Sequence, residues 1–377
     1  MQKVTQIQQL DRKISGLPPQ IATLLLDWYD KGRRILPWRE DPSPYHVWLS
    51  EIMLQQTRVE AVRPYFERFL ARLPDIQSLA CAGEDELLKL WEGLGYYNRV
   101  RNLQKAARII MENYQGEIPA DSELLQKLPG IGSYTAGAVS SIAFGKKVPA
   151  VDGNVFRVYT RLMMDGRDIL QNTMRRAVEL AFTEVIPENR PGDFNQALME
   201  LGAVTCLPNG APKCTDCPLQ EICLSHQSGC ETGYPVKTPK KPRKIEEKTI
   251  LIIQNETKTA IRKRPDHGLL AGLYEFPSLP GRLNAEAVLS VVKESGFSPL
   301  YISSLGDTKH IFTHREWQMT GYYIRIDELS PVAETAEKLH YMFVDKNQIE
   351  RTYPVPSAYS FYMKQLKGAS AMPTDKK

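Results

Sequence analysis

Four cysteines, Cys206, Cys214, Cys217 and Cys223, stand in the pattern C-x7-C-x2-C-x5-C within 18 residues. Thiolates this close in sequence gather on one site without long-range folding, and either a structural zinc ion or an iron–sulfur cluster would use them. Upstream, LQKLPGIGSYTAGAVSS (125–141) reads as helix, tight glycine turn, helix. Gly130 and Gly132 leave backbone N–H groups open at the start of the second helix, a concavity suited to an anion such as phosphate. Twenty residues after Gly132, Asp152 stands in AVDGNVFRV, between an extended run and a new helix. Aspartate is a favoured helix N-cap, which would explain it alone. Hairpin, acid and cysteine cluster in that order say more than any one of them. Glu51, in WLSEIMLQQTRVE (48–60), lies among Trp48, Leu49, Ile52, Met53 and Leu54. A carboxyl in apolar surroundings keeps its proton and suits a general acid, although the usual place of a glutamate is the solvent face of a helix.

These groups need a scaffold, and 377 residues suffice for two or three domains with real cores. Residues 18–230 read as mostly helical: Ile21, Leu24, Leu25 and Trp28 share one helical face, and Leu87, Leu88 and Trp91 repeat the period. After Cys230 the texture changes. GYPVKTPKKPRKIEEK reads as an exposed linker. Beyond it lie strand-like runs at 249–254, 258–264 and 317–326, with one helical segment at 285–295. The tail after Lys367 is expected to fray. No solenoid repeat, no membrane span and no secretory signal is legible. Six cysteines, four of them clustered, argue for a reducing compartment, with Cys81 and Cys230 as a core thiol and a surface thiol. A net charge of +4 permits a nucleic-acid partner without requiring one.

Together these motifs resemble the helix–hairpin–helix DNA glycosylase superfamily of the endonuclease III type; with the C-terminal part described below, the resemblance covers about residues 18–365. The resemblance implies a [4Fe–4S] cluster on Cys206, Cys214, Cys217 and Cys223, with zinc as the alternative. The first gap, LPNGAPK, is seven residues where the family has six. Members that cut the strand carry a lysine at the second position after the hairpin's last glycine; here it is Tyr134, and a phenol forms no imine. That points to a monofunctional enzyme, and with LSEIMLQQT the chain is similar to the adenine glycosylase branch. The resemblance then implies Glu51 as general acid, Asp152 as the carboxylate that opposes the charge of an oxocarbenium-like sugar or briefly bonds its anomeric carbon, and Tyr134 and Asn154 as groups that orient Asp152. Trp38 and Arg39 would line the adenine pocket. Gln55, Gln56 and Thr57 would wedge near the mismatch, and Leu94 and Tyr96 would fill or enter the opened base stack. Gly130 and Gly132 would grip phosphate, with Lys213 a further phosphate contact.

The C-terminal part, with GLLAGLYEFPSLPG (268–281), is similar to a nudix fold. It lacks the clustered carboxylates that a nudix hydrolase needs for magnesium, so no pyrophosphatase activity is expected. In HIFTHREWQ (310–318), Phe312, Thr313 and His314 would read 8-oxoguanine; taken alone, the segment is an ordinary hairpin tip. The expected architecture is a mainly α N-terminal part, with two helical subdomains and an iron–sulfur loop, followed by an α+β nudix-like domain. Its expected bounds are 31–136 for a six-helix domain, 1–30 and 137–229 for a cluster domain, 230–248 for the linker and 249–367 for the last domain. The expected substrate is double-stranded DNA with adenine opposite 8-oxoguanine or guanine, the expected state a monomer, and the setting a bacterial cytoplasm.

Overall fold

The computed structural model describes residues 16–239, 242–327 and 341–369. The N-terminal stretch read for a signal, and the tail beyond 369, lie outside the described residues. Contacts divide the chain into two compact units, residues 1–81 with 101–239, and residues 82–100 with 240–377.

The first unit is helical. Its elements include α1 (Ile21–Gly32), α2 (Pro37–Glu40), α3 (Pro44–Leu54), α4 (Val59–Arg72) and α5 (Ile76–Cys81). The chain continues through α6 (Glu84–Leu90) of the second unit and α7 (Asn98–Asn113), within which the division falls. Then follow α8 (Ser122–Gln126), α9 (Ser133–Ile142), α10 (Gly153–Leu162), α11 (Asn172–Val185), α12 (Pro191–Val204) and α13 (Leu224–Gln227). The helical face read from the sequence is real: Ile21 and Leu25 of α1 are fully buried, with Leu24 and Trp28 packed on the same core. That core joins α1, α10, α11 and α12, and Cys206, Cys217 and Cys223 pack against it.

Two close approaches set the geometry that matters later. Helix α9 (SYTAGAVSSI) buries nearly its whole surface because its side chains are small. A Cβ on its Gly137 would stand 2.2 Å from the Pro149 carbonyl oxygen, so only glycine lets the strand-like 148–151 segment pass. Helix α12 likewise meets the start of α10 through Gly202, where a Cβ would lie 2.5 Å from Asn154 Cβ.

The second unit is built on a mixed sheet. Its strands are β1 (Lys244–Asn255), β2 (Lys258–Lys263), β3 (Tyr274–Glu275), β4 (Ser278–Pro280), β5 (Pro299–Ile311), β6 (Arg315–Ile326) and β7 (Met342–Asp345). The main order is β3-β2-β1-β6-β5, with β4 on β1 and β7 on β2; β1 and β6 run parallel. The run Ile250–Ile253 is apolar at every position because both faces of the sheet are covered. Ile250 and Ile252 face a core with Trp317, Tyr359 and Tyr362. Leu251 and Ile253 face Val288 and Val292 of α14 (Ala285–Glu294). Helices α15 (Lys346–Arg351) and α16 (Ser360–Ala369) close the chain.

The sequence reading is modified in three places. Strand β1 begins at Lys244, inside the expected linker, because Lys244–Glu247 pair with Arg315–Gln318 of β6. Strand β5 carried no strand signal: it is an edge strand, largely exposed, and its register comes from β6. Neither leftover cysteine is a core thiol; Cys81 is exposed and Cys230 half-buried. Among the described residues, no helix is long and apolar enough to cross a membrane.

Candidate active site

Helix α3 begins at Ser43, whose side chain accepts the His46 N–H, with Pro44 at its first position. Eight of its eleven residues are buried, and Glu51 among them is 5 % exposed. The carboxyl therefore does not take the solvent face usual for glutamate. Tyr134, one residue into α9, donates a hydrogen bond from its hydroxyl to Glu51 Oε2 and also contacts Met199 Sδ at 3.3 Å. Asp152 is the N-cap of α10 and accepts the Val155 N–H at 2.8 Å. The cap role is thus met, and it leaves the other oxygen, Oδ2, to receive Asn154 Nδ2 at 2.8 Å.

Both carboxyls line one cleft of about 940 Å³. Its walls also carry Trp38, Arg39, Gln55, Gln56, Thr57, Gly132, Tyr134 and Asn154, so most sequence-predicted residues of this unit meet in one place. Gly130 stands just outside, at φ +78°, where a side chain would strike Asn102. Asn154 thus bonds Asp152, whereas Tyr134 bonds Glu51.

Burial pushes Glu51 up to about 7, with Asp152 adding to the rise and Tyr134 and Arg39 opposing it. Burial raises Asp152 as well, against the Val155 and Asn154 donors and the Arg157 charge. Asp152 is therefore not held below its ordinary range, as an N-cap on its own would be. The Asp152 charge adds to the proton affinity of Glu51, and the donors around Asp152 favour charge on that side.

The sequence reading missed several groups that shape this site. Arg157 bonds Asn154 Oδ1 at 2.7 Å, the Gly202 carbonyl at 2.7 Å and the Cys206 carbonyl at 2.7 Å. Arg161 reaches Cys206 Sγ at 3.2 Å and the Leu207 carbonyl at 2.9 Å. Arg34 and Glu200 stand in the cleft wall. The one available signal was an acid among apolar residues: Glu200 follows Leu198 and Met199 and precedes Leu201.

The four clustered cysteines line one small cavity with Arg161, Lys213, His226 and Glu231. Burial pushes the Cys217 thiol up to about 12, so four thiolates there call for a cation. Among the described residues, the only three His, Cys, Asp or Glu ligand atoms within 4.8 Å of one another belong to Cys214, His226 and Glu231. A single tetrahedral zinc would bring four sulfurs to about 3.8 Å from each other. Four cysteines on one cavity suit either a zinc ion or an iron–sulfur cluster.

In the second unit, Leu94 is 7 % exposed and belongs to the core, whereas Tyr96 is 50 % exposed. Tyr96 holds φ +50° and Gln56 φ +59°, a left-handed backbone that costs a non-glycine residue energy and persists where something requires it. The Tyr96 hydroxyl lies 3.0 Å from Thr313 Oγ1. Thr313 and His314 form the exposed tip of the β5–β6 turn, closed by the Phe312 N–H to the Arg315 carbonyl at 2.8 Å. Phe312 is anchored edge-on to Trp317, with centroids 4.8 Å apart. The segment is a hairpin tip with an aromatic anchor and an exposed polar end.

Comparison with known proteins finds two matching families. Residues 49–184 match the family described as "HhH-GPD superfamily base excision DNA repair protein", and residues 249–365 match the NUDIX domain. The chain is 34% identical over 370 residues to the adenine DNA glycosylase of Rattus norvegicus, covering 82% of this chain and 71% of the relative. It is 33% identical to that of Buchnera aphidicola subsp. Acyrthosiphon pisum, covering 92% of this chain and 98% of the relative. Among solved structures, a thermostable thymine-DNA glycosylase is 28% identical, with a TM-score of 0.51, over 58% of this chain and 97% of that one.

Proposed function

We propose, from the premise that this chain belongs to the adenine DNA glycosylase family, that it excises adenine standing opposite 8-oxoguanine or guanine and leaves an abasic site. That it is a DNA glycosylase, a hydrolase of N-glycosyl bonds, follows from the family itself. The finer reading is carried by one observation: Glu51 and Asp152, far apart in sequence, line the same cleft, and burial lifts Glu51 to about 7.

Adenine, turned out of the duplex, enters this cleft. Glu51 donates its proton to a nitrogen of the imidazole ring of the base, which makes adenine a better leaving group. Tyr134 fixes the Glu51 carboxyl through its hydroxyl. As the glycosidic bond lengthens the sugar gains oxocarbenium character. Asp152, held by Asn154 and the Val155 N–H, opposes that charge, in the manner of paired-carboxylate glycosidases. Water then completes hydrolysis. With Tyr134 at the position after the hairpin, that position offers no amine for an imine, which supports a monofunctional course.

Trp38 and Arg39 are the pocket residues in this reading. Gln55, Gln56, Thr57, Tyr96, Gly130 and Gly132 are the DNA contacts, with Lys213 beside them. Leu94 is buried, so in this reading Tyr96 is the residue that enters the stack. Phe312, Thr313 and His314 read the opposite base. Cys206, Cys214, Cys217 and Cys223 would hold a [4Fe–4S] cluster, whose chemistry there is structural cross-linking; the single cavity that all four line supports this reading. The expected six-helix part, 31–136, and cluster part, 1–30 with 137–229, are kept in this reading as functional subdivisions, although contacts group 82–100 with the second unit.

The test is single-turnover base release from duplexes with adenine opposite 8-oxoguanine, guanine, cytosine and thymine. We expect release to be fastest opposite 8-oxoguanine, then guanine, with little opposite the pyrimidines. Equal rates on all four, or a covalent adduct trapped efficiently by borohydride, would reject the reading.

A further inference from the structure

Glu200, on α12, is 2 % exposed and stands in the wall of the same cleft. Its carboxylate accepts Arg34 Nε at 2.6 Å and Nη2 at 2.9 Å, and Arg39 Nη2 at 2.8 Å. Arg39 is fixed further by a 3.1 Å bond from Nη1 to the Arg34 carbonyl and by its guanidinium lying 5.5 Å from the Tyr29 ring centre. Burial works to raise the Glu200 carboxyl, yet the bonds from Arg34 and Arg39 outweigh it and hold the group below its ordinary value. It is therefore a carboxylate facing two cations. A buried cluster of this kind contributes little to stability compared with apolar packing, so its place in a ligand cleft calls for another reason.

We propose that Glu200 is a positioning residue of the base-binding cleft: it locks Arg34 and Arg39 as a rigid pair of planar donors for the extruded purine and offsets their charge beside Glu51. The inference rests on the reading of this cleft as the adenine pocket. A purine presents ring nitrogens as in-plane acceptors, and a guanidinium bound at one edge still offers N–H groups at another. Anchoring both side chains before the base arrives removes rotamer entropy from the binding step.

The second effect is electrostatic. The groups that act on Glu51 are Tyr134 from α9, Asp152 at the start of α10 and Arg39 from α2, and Arg39 draws its proton affinity down. Glu200 enters through Arg39. Without the carboxylate, Arg39 would face Glu51 with its charge uncompensated.

The experiment measures single-turnover adenine release from an adenine·8-oxoguanine duplex across about pH 5 to 9, with cluster-loaded full-length protein. In the wild type the rate falls as pH rises and Glu51 loses its proton. Glu200→Gln is expected to move that fall to lower pH by about one unit, and Glu200→Asp to restore part of the shift. A loss of rate that is uniform in pH, with the fall in its original place, would mean a merely structural role and overturn the proposal. If Glu200→Gln does not fold, Arg39→Gln decides, since removing the cation should move the fall to higher pH; no movement rejects the idea. The same shifts can be read without turnover from the infrared carbonyl band of protonated Glu51, assigned by its loss in Glu51→Gln. A chain that releases no adenine would refute the functional reading, while this titration would still test the link between Glu200 and Glu51.

Discussion

Glu51 illustrates how one side chain acquires a chemical role from its surroundings alone. Its raised proton affinity costs the fold something, and the sign can be stated. A carboxyl whose folded pKa lies above its ordinary value of 4.5 favours the folded state below that value, and the advantage is lost as pH rises to about 7. Glu51→Gln should therefore release almost no base, because it has no proton to give. Yet it should melt at a higher temperature than wild type at about pH 8 and close to it near about pH 4.5, with a difference of at most about 3 kcal/mol between the two conditions. Tyr134 partly offsets the gain, since an amide oxygen accepts its hydroxyl less strongly than a carboxylate. Robust turnover by the variant would remove Glu51 from the chemistry. Equal melting curves at both pH values would mean that the carboxyl is not desolvated.

At the level of elements, the site depends on how closely backbones approach. Helix α9 carries Tyr134 at its start and Gly137 one turn later, against Pro149. The segment beyond Pro149 leads directly into Asp152. Gly137→Ala should thus cost about 2 kcal/mol or more of stability through overpacking and should slow base release by displacing Asp152, measured by thermal melting and by turnover together. A neutral outcome would show that the helix and this segment have room to spare. The β5–β6 turn gives a separate test. Phe312→Ala and Thr313→Ala are expected to narrow the preference for 8-oxoguanine over guanine opposite adenine, with Thr313→Ala also freeing the Tyr96 hydroxyl from its partner. Unchanged discrimination would leave the turn as a plain hairpin. Elements differed in how readable they were. Helix α1 announced itself by the period of Ile21 and Leu25, and α10 by its Asp152 cap. Strand β5 has no such pattern, because an edge strand facing solvent on much of its length needs no apolar alternation; only β6 fixes its register.

Across the whole molecule, the four-cysteine cavity is the largest commitment made by short-range sequence. Cys206, Cys217 and Cys223 pack on the core of α1, α10, α11 and α12, and Arg157 ties the Cys206 carbonyl to the Asn154 that holds Asp152. Removing the group that these cysteines would hold, by chelation after reduction or by Cys217→Ala, should loosen this core and abolish base release, followed by melting temperature and by the visible absorption of the protein. An unaltered melting curve for the stripped protein would make the group dispensable to the fold. The cysteines, the glycine hairpin and the capping aspartate could be read from the chain because each works through neighbours a few residues away, where spacing alone dictates geometry. The same holds for the alternation that buries Ile250–Ile253 on two sides. What only the folded chain decided is which distant groups share a wall: that Glu51 turns inward, that Tyr134 bonds Glu51, that Arg34 and Arg39 close on Glu200, and that Leu94 is core. Proton affinity and burial are properties of a neighbourhood assembled from helices well separated in sequence, and no local spacing encodes them.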